Sequence, residues 1–247
     1  MPVYRQTISF GPPITRMVKY LILVTSAAFL ATNIPQRVFG WTFATDWLAL
    51  RPLDLTRLDV RHGFFLWEPV TYLFLHSSLW HLFFNMLALW MFGSDLENAW
   101  GGRKFLQYYF LTGVGAGLFA VLLQPSNPIP TLGCSGAIFG VLLAYGVLFP
   151  NRQLFLFPFP VSISAKWFVI IFGVIEFYLS LAEPGSGVSH VAHLGGMLVG
   201  YLYLRGRRIP FNFQSWYAER RRARLKKKFE VFMRRQEKKD DAGRWIN

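Results

Sequence analysis

Apolar residues fall in six blocks along the chain, at about 17–31, 70–92, 105–123, 134–149, 167–182 and 188–204, and polar residues collect between them. Each block carries little charge and comes near the roughly 20 residues an α-helix needs to cross a ~30 Å hydrocarbon core. Pro and Gly punctuate nearly every connection, as expected where helices stop. The pattern predicts an all-α fold, a polytopic membrane protein built as a six-transmembrane-helix bundle with both termini on one side. The first block has the charged start and apolar centre of a signal peptide, but further membrane segments follow it, so an uncleaved span is expected.

The connection at 32–69 has a different texture. Arg37, Arg51, Arg57 and Arg61 are matched by Asp46, Asp54, Asp59 and Glu68, with Trp41, Phe43, Trp47, Leu48, Phe64, Phe65 and Trp67 among them. Aromatic anchors with balanced charge predict short amphipathic helices at the bilayer surface.

Composition agrees with the membrane reading. The chain is 53% hydrophobic and 16% charged, against about a quarter charged for soluble domains. Its single cysteine, Cys134, excludes an intramolecular disulfide and a Cys–Cys metal site, and reads as a small apolar filler. The net charge of +13 is uneven, since residues 205–247 hold fifteen Lys or Arg against five acids. The basic balance therefore describes a tail and gives no reason to expect a nucleic-acid partner. Arg5, Arg16 and Lys19 lie at the start, Arg103 and Lys104 in the second connection, and Arg152 and Lys166 in the fourth; the third and fifth connections hold no Lys or Arg. The bias places the termini in the cytoplasm, and a bacterial inner membrane is the expected location.

Polar residues inside apolar spans are costly and point to function. His76, His81 and Asn85 open the second block, Glu176 lies in the fifth, and His190 and His193 head the sixth, so four of the five histidines sit in the membrane core and the fifth, His62, lies in the first connection. His81 and Asn85 are one helical turn apart on one face. They can hold helices together by hydrogen bonds; aimed jointly into a dry cavity, they suit a developing oxyanion better than a metal, because Asn is a poor zinc ligand. His190, a turn nearer the water, reads as an interfacial polar residue.

Gly133-Cys134-Ser135-Gly136 heads the fourth block. Alone it is an ordinary small-residue packing motif, or a nucleophile flanked by glycines. Gly136 and Gly140 form one small face and Gly196 and Gly200, beyond His193, form another. If those faces meet, Ser135 and His193 come within hydrogen-bond reach. No aspartate is placed to orient His193, so a nucleophilic mechanism is expected to use a dyad.

These motifs resemble those of the rhomboid intramembrane serine proteases. Gly133-Cys134-Ser135-Gly136 is similar to the family's Gly-x-Ser-Gly on the fourth span. His81-Leu82-Phe83-Phe84-Asn85 is similar to its His-x-x-x-Asn on the second, and Ala192-His193-Leu194-Gly195-Gly196 to its Ala-His-x-x-Gly on the sixth. The resemblance covers about residues 15–205 and implies the compact six-span form. It also implies that Ser135 is the nucleophile and His193 the general base, hydrolysing peptide bonds in or beside transmembrane segments of membrane-protein substrates. Asn85, His81 and the Ser135 N–H would bind the oxyanion, with Gly133 and Gly136 in support and Phe139 stacked on His193. No metal or organic cofactor is implied, and Glu97 matches a structural glutamate on the cytoplasmic side. The family's first connection often carries Trp-Arg, whereas here Trp67 precedes Glu68-Pro69.

On this reading residues 1–16 are a cytoplasmic segment, 17–205 the catalytic core with 32–69 as its interfacial loop, and 206–247 a basic cytoplasmic tail. Two other readings stand beside the protease: a catalytically inactive relative that binds membrane-protein clients, which would typically lack Ser135 or His193, and a transporter, for which Glu176 would be the evidence. In the tail, Leu225, Phe229 and Phe232 share one helix face among basic residues. That helix is expected to bind anionic lipid, an alternative being a solvated tail that only fixes topology. Liposome co-sedimentation of the tail peptide should rise with anionic lipid content and fall with salt; binding indifferent to lipid charge would refute the lipid role.

Overall fold

The computed structural model describes residues 12–51, 65–125, 127, 129–155, 162–183, 188–206 and 233. The tail helix expected around Leu225, Phe229 and Phe232, and the middle of the interfacial loop, lie outside these residues.

All six apolar blocks become helical, with shifted boundaries. Helix α1 (Arg16–Phe39) runs two turns past the predicted end, through Pro35, and stops at Gly40, whose φ of 68° is the left-handed conformation glycine adopts without strain. A short α2 (Phe43–Trp47) follows. The second block is divided. Helix α3 (Glu68–Thr71) and a 3₁₀ turn at Tyr72–Phe74 form one arm, and the chain then bends by 97° into a second arm. That arm consists of α4 (Leu79–Ala88), a π turn at Leu89–Gly93 and α5 (Ser94–Trp100). The bend occurs where Ser78 takes an extended conformation and caps α4, its Oγ accepting the His81 N–H at 3.1 Å. The sequence pattern ran the block continuously because Leu73, Phe74 and Leu75 are as apolar as the span that follows.

Helix α6 (Gly102–Leu123) leads to α7 (Ser135–Leu148), and a small antiparallel hairpin of β1 (Gln153–Phe155) and β2 (Ser162–Ser164) leads to α8 (Ala165–Ala182) and then α9 (His190–Gly206). Helices α1, α6 and α8 are each long and apolar enough to cross a membrane, and the bent pair adds a fourth span if its arms are counted together. The fold is a helical membrane bundle. Its centre is α6, α7 and α9, which pack most closely on one another, while α1 and α8 leave most of their apolar surface exposed. Helix α7 has 14 residues, about 21 Å, short of the hydrocarbon thickness.

Small residues on α6 set how the rest docks. A side chain at Gly113 would strike Leu73, one at Gly115 would strike Val199 of α9, and one at Gly117 would strike Leu50 and Tyr72. The first connection and the arm that follows it are thus pressed into bays on α6, and Tyr72 OH donates to the Gly113 carbonyl at 2.5 Å. Its two described ends are also joined to each other. Trp67 Nε1 donates to the Trp47 carbonyl at 2.7 Å, Thr71 Oγ1 to the Leu48 carbonyl at 2.8 Å, and the Arg51 N–H to the buried Glu68 carboxylate at 3.1 Å. The acid that follows Trp67 is thus buried against the backbone of Arg51.

At the opposite end, the Glu97 carboxylate accepts from Thr15 Oγ1 and from the N–H groups of Met17 and Val18, at 3.0 and 2.9 Å for the two amides. An anion at a helix N-terminus satisfies amides that the helix itself leaves without acceptors. Nearby, Arg152 pairs with Asp95 at 2.9 Å, so the second and fourth connections share this end. Glu97→Ala should therefore lower stability by about 2–3 kcal/mol, the usual cost of losing charge-assisted hydrogen bonds at a buried site. Reversible unfolding in mixed micelles would measure it, and Glu97→Gln should recover part of the loss.

Candidate active site

The site forms where α7 begins. Gly133 has φ +111°, a region that side-chain-bearing residues avoid, and a side chain there would also strike the His81 ring. Glycine is required twice over at this position, and its N–H donates to the Tyr72 carbonyl at 2.9 Å. Two residues earlier, Thr131 pairs with Leu50 through reciprocal backbone hydrogen bonds of 3.0 and 2.8 Å. The first connection therefore clamps the strand that delivers Ser135. Cys134 is fully buried, its Sγ 3.6 Å from His76 Nε2.

Ser135 is the first residue of α7 and His193 lies one turn into α9. Although 58 residues apart in sequence, Ser135 Oγ and His193 Nε2 are separated by 2.7 Å. The approach is set by glycines. A side chain at Gly196 would overlap the carbonyl of Gly136, and one at Gly136 would strike Ala116 of α6. The two small faces meet at this level only. One turn further on, Gly140 packs on Thr112 and Gly200 on the Tyr108 hydroxyl, and Tyr108 OH donates to the Gly140 carbonyl at 2.7 Å. The predicted Gly140–Gly200 contact is thus replaced by α6, because helices that touch at one point diverge and a third helix fills the gap.

The Phe139 ring lies parallel to the His193 imidazole, with centroids 4.3 Å apart and planes 15° apart. His81 stands against Gly133, and Ser77 Oγ lies 3.2 Å from its Nδ1. Behind it the His76 ring packs edge-on at 4.9 Å. His76 is in turn held by Asn33 of α1, whose Nδ2 donates to its carbonyl at 3.0 Å. Asn85 is buried on the same face of α4 as His81 and donates one amide hydrogen to the His81 carbonyl at 2.8 Å.

Two expectations are corrected here. An acidic partner for His193 was not expected, yet the Glu176 carboxylate on α8 lies 2.8 Å from His193 Nδ1. Glu176 stands out in the sequence as an ionisable residue within a span, where it fits the transporter reading. The signal was Val169, Gly173 and Glu176 at i, i+4 and i+7, a stripe that faces α7 and α9: Val169 packs on Gly146 and Gly173 on Met197. His190 is likewise not interfacial. It is 8% exposed, and its Nδ1 lies 2.7 Å from the same Glu176 Oε2. Glu176, His190 and His193 also offer three potential ligand atoms within 4.8 Å of one another, a set that could hold a metal ion.

Comparison with known proteins places the chain in a family. The Rhomboid domain model matches residues 64–207, more than half of the chain. The chain belongs to the rhomboid family. It is 31% identical over 227 residues to Rhomboid protein 1, mitochondrial, of Saccharomyces cerevisiae, covering 89% of this chain and 58% of the yeast protein. It is 34% identical over 137 residues to Rhomboid protease GluP of Bacillus subtilis, covering 55% of this chain and 25% of that protein. Against Rhomboid protease AarA of Providencia stuartii it is 32% identical over 157 residues, covering 55% of this chain and 54% of that protein. This rhomboid-family chain spans about half the length or less of these two bacterial relatives, and little more than half of the yeast protein. One of the three is named mitochondrial and two come from bacteria, so the expected bacterial inner membrane finds no support over a mitochondrial one.

Adding one methyl group at the α7–α9 contact tests whether the backbones are as close as described. Gly196→Ala should cost about 3 kcal/mol through overpacking, read as a lower unfolding midpoint in micelles. Gly206→Ala, where nothing lies within 4 Å, should leave the midpoint unchanged.

Proposed function

We propose that this rhomboid-family protein is an intramembrane serine endopeptidase that cleaves peptide bonds in or next to transmembrane segments of other membrane proteins. The observation that carries the reading is the 2.7 Å contact of Ser135 Oγ with His193 Nε2 at the N-terminal end of a short α7. Residues 17–205 form the catalytic core, and the end rich in Lys and Arg is the cytoplasmic one.

In this mechanism His193 Nε2 takes the hydroxyl proton as Ser135 Oγ bonds to the scissile carbonyl carbon. The carbonyl oxygen becomes an oxyanion. The Ser135 N–H meets it, since the first amides of a helix have no intrahelical acceptor and lie at the positive end of its dipole. Asn85 contributes its second amide hydrogen. His81 contributes Nε2–H, the tautomer favoured when Ser77 donates to Nδ1. The C–N bond then breaks as His193 returns the proton to the departing amine, leaving Ser135 acylated. A water molecule, deprotonated by His193, attacks the ester carbon; the carboxylate product leaves and the proton returns to Ser135.

Hydrolysis needs water below the membrane surface. The length of α7 supports this, since a helix of about 21 Å cannot hold both ends at the two surfaces of a ~30 Å core. Polar groups of α4, α7 and α9 around Ser135 supply hydrogen-bond partners for such water.

Purified protein, in micelles or liposomes, should cleave a membrane-anchored substrate and be labelled at Ser135 by a fluorophosphonate. Ser135→Ala and His193→Ala should each reduce cleavage by at least about 10³-fold, and the double variant should be no worse than the singles, because the two groups act as one unit. Cleavage that survives either substitution would rule out the assignment. A folded, substrate-binding but uncleaving wild-type chain would favour the client-binding alternative.

A further inference from the structure

We propose that Glu176 is a positioning residue for His193, so that the Ser135–His193 pair is oriented by a carboxylate that is itself held by His190. The inference rests on the serine-protease reading above and deepens it.

The first observation is where α8 spends its burial. This helix is an apolar span with a largely exposed surface, including Val174, Phe177, Tyr178 and Leu181, all more than half exposed. Its buried residues are Ala165, Val169 and Glu176. A helix that turns most of its apolar side chains outward and buries a carboxylate is not placed there by hydrophobic packing. Such a group persists inside a membrane bundle only when its oxygens are paired.

The pairing is specific. Glu176 Oε2 lies 2.8 Å from His193 Nδ1 and 2.7 Å from His190 Nδ1. The two rings stand at 90°, with centroids 6.0 Å apart, and so approach the oxygen from different directions. A carboxylate accepts and does not donate, which makes each Nδ1 a donor. With the hydrogen on Nδ1, His193 Nε2 is left with its lone pair toward Ser135 Oγ at 2.7 Å. That is the tautomer a general base needs.

Phe139 cannot do this alone. A parallel ring at 4.3 Å holds the plane of the imidazole but not its rotation within that plane, nor its tautomer. A hydrogen bond at the Nδ1 edge determines both. Glu176 and Phe139 thus restrain different degrees of freedom of the same side chain. His190, one turn before His193, pins the carboxylate so that it does not swing away.

Full-length protein in micelles distinguishes the possibilities, comparing wild type with E176Q, E176A and E176D. Gln keeps the shape and an acceptor oxygen and removes the charge, so a merely structural role tolerates it. On the proposal, E176Q retains the unfolding midpoint and KM to within about threefold. Its kcat and its rate of fluorophosphonate labelling at Ser135 fall by at least about 10²-fold, toward the roughly 10⁴-fold lost when a triad carboxylate is removed elsewhere. E176A behaves similarly, and E176D recovers part of the rate. Labelling and kcat of E176Q within about threefold of wild type would overturn the proposal. If E176Q does not fold, E176D decides it: lower kcat at unchanged KM supports the role, and wild-type kcat overturns it. Loss of wild-type activity on chelation, restored by zinc, would make Glu176, His190 and His193 a metal site and also overturn it. Absence of Ser135 labelling in wild-type protein would overturn the serine-protease reading itself, and this inference with it.

Discussion

Backbone-to-backbone contact between α7 and α9 at Gly136 and Gly196 is the constraint on which the rest of the structure depends. Between apolar helices in lipid there is no hydrophobic force to bring them together, so close packing and hydrogen bonds must do so. Removing both side chains lets the carbonyl of Gly136 sit where a Cβ of residue 196 would be. Only at that separation does a short serine side chain reach an imidazole on another helix. The contact then dictates the surroundings: α6 fills the space where the helices diverge, with Tyr108 and Thr112 replacing a second glycine contact.

A second constraint follows from the first. Bringing Ser135, His193, Glu176, His190, His81 and Asn85 into one apolar bundle would be ruinous if their polar atoms were left alone. Each is given a partner: Ser135 with His193, His193 and His190 with Glu176, Asn85 with the His81 carbonyl, His81 with Ser77. A connected network is far less costly than the same groups buried singly. The same logic runs at the other end, where Glu97 closes the start of α1, and in the first connection, where Glu68 is buried against Arg51. Several of these polar residues, Glu97, Glu68, Glu176 and Ser135 among them, mark junctions between elements distant in sequence.

Legibility was uneven. The helices were readable because apolar blocks of span length have few alternatives, and the His81–Asn85 and Gly133–Gly136 spacings show directly which residues share a turn or a loop. Boundaries were less readable. The apolar pattern does not reveal the 97° bend before α4, which depends on Ser78 taking an extended conformation, or the continuation of α1 through Pro35. Glu176 was visible as an ionisable residue in a span, and its spacing from Val169 and Gly173 put it on a small-residue stripe. Which helix that stripe faces is not a property of α8, and so its partnership with His193 and His190 could not be read from it.

The amino-acid sequence alone determined that this is a helical membrane protein, where its apolar segments lie, and which residues are too polar to be there without purpose. Those are consequences of local composition and period, since transfer into lipid and helix geometry act on each segment separately. Tertiary structure decided the rest: that Gly136 meets Gly196 while Gly140 meets α6, that the first connection clamps the loop before Ser135, and that Glu176 turns inward to two histidines. These depend on how helices approach and diverge in three dimensions. A distance of 58 residues along the chain carries no information about 2.7 Å in space.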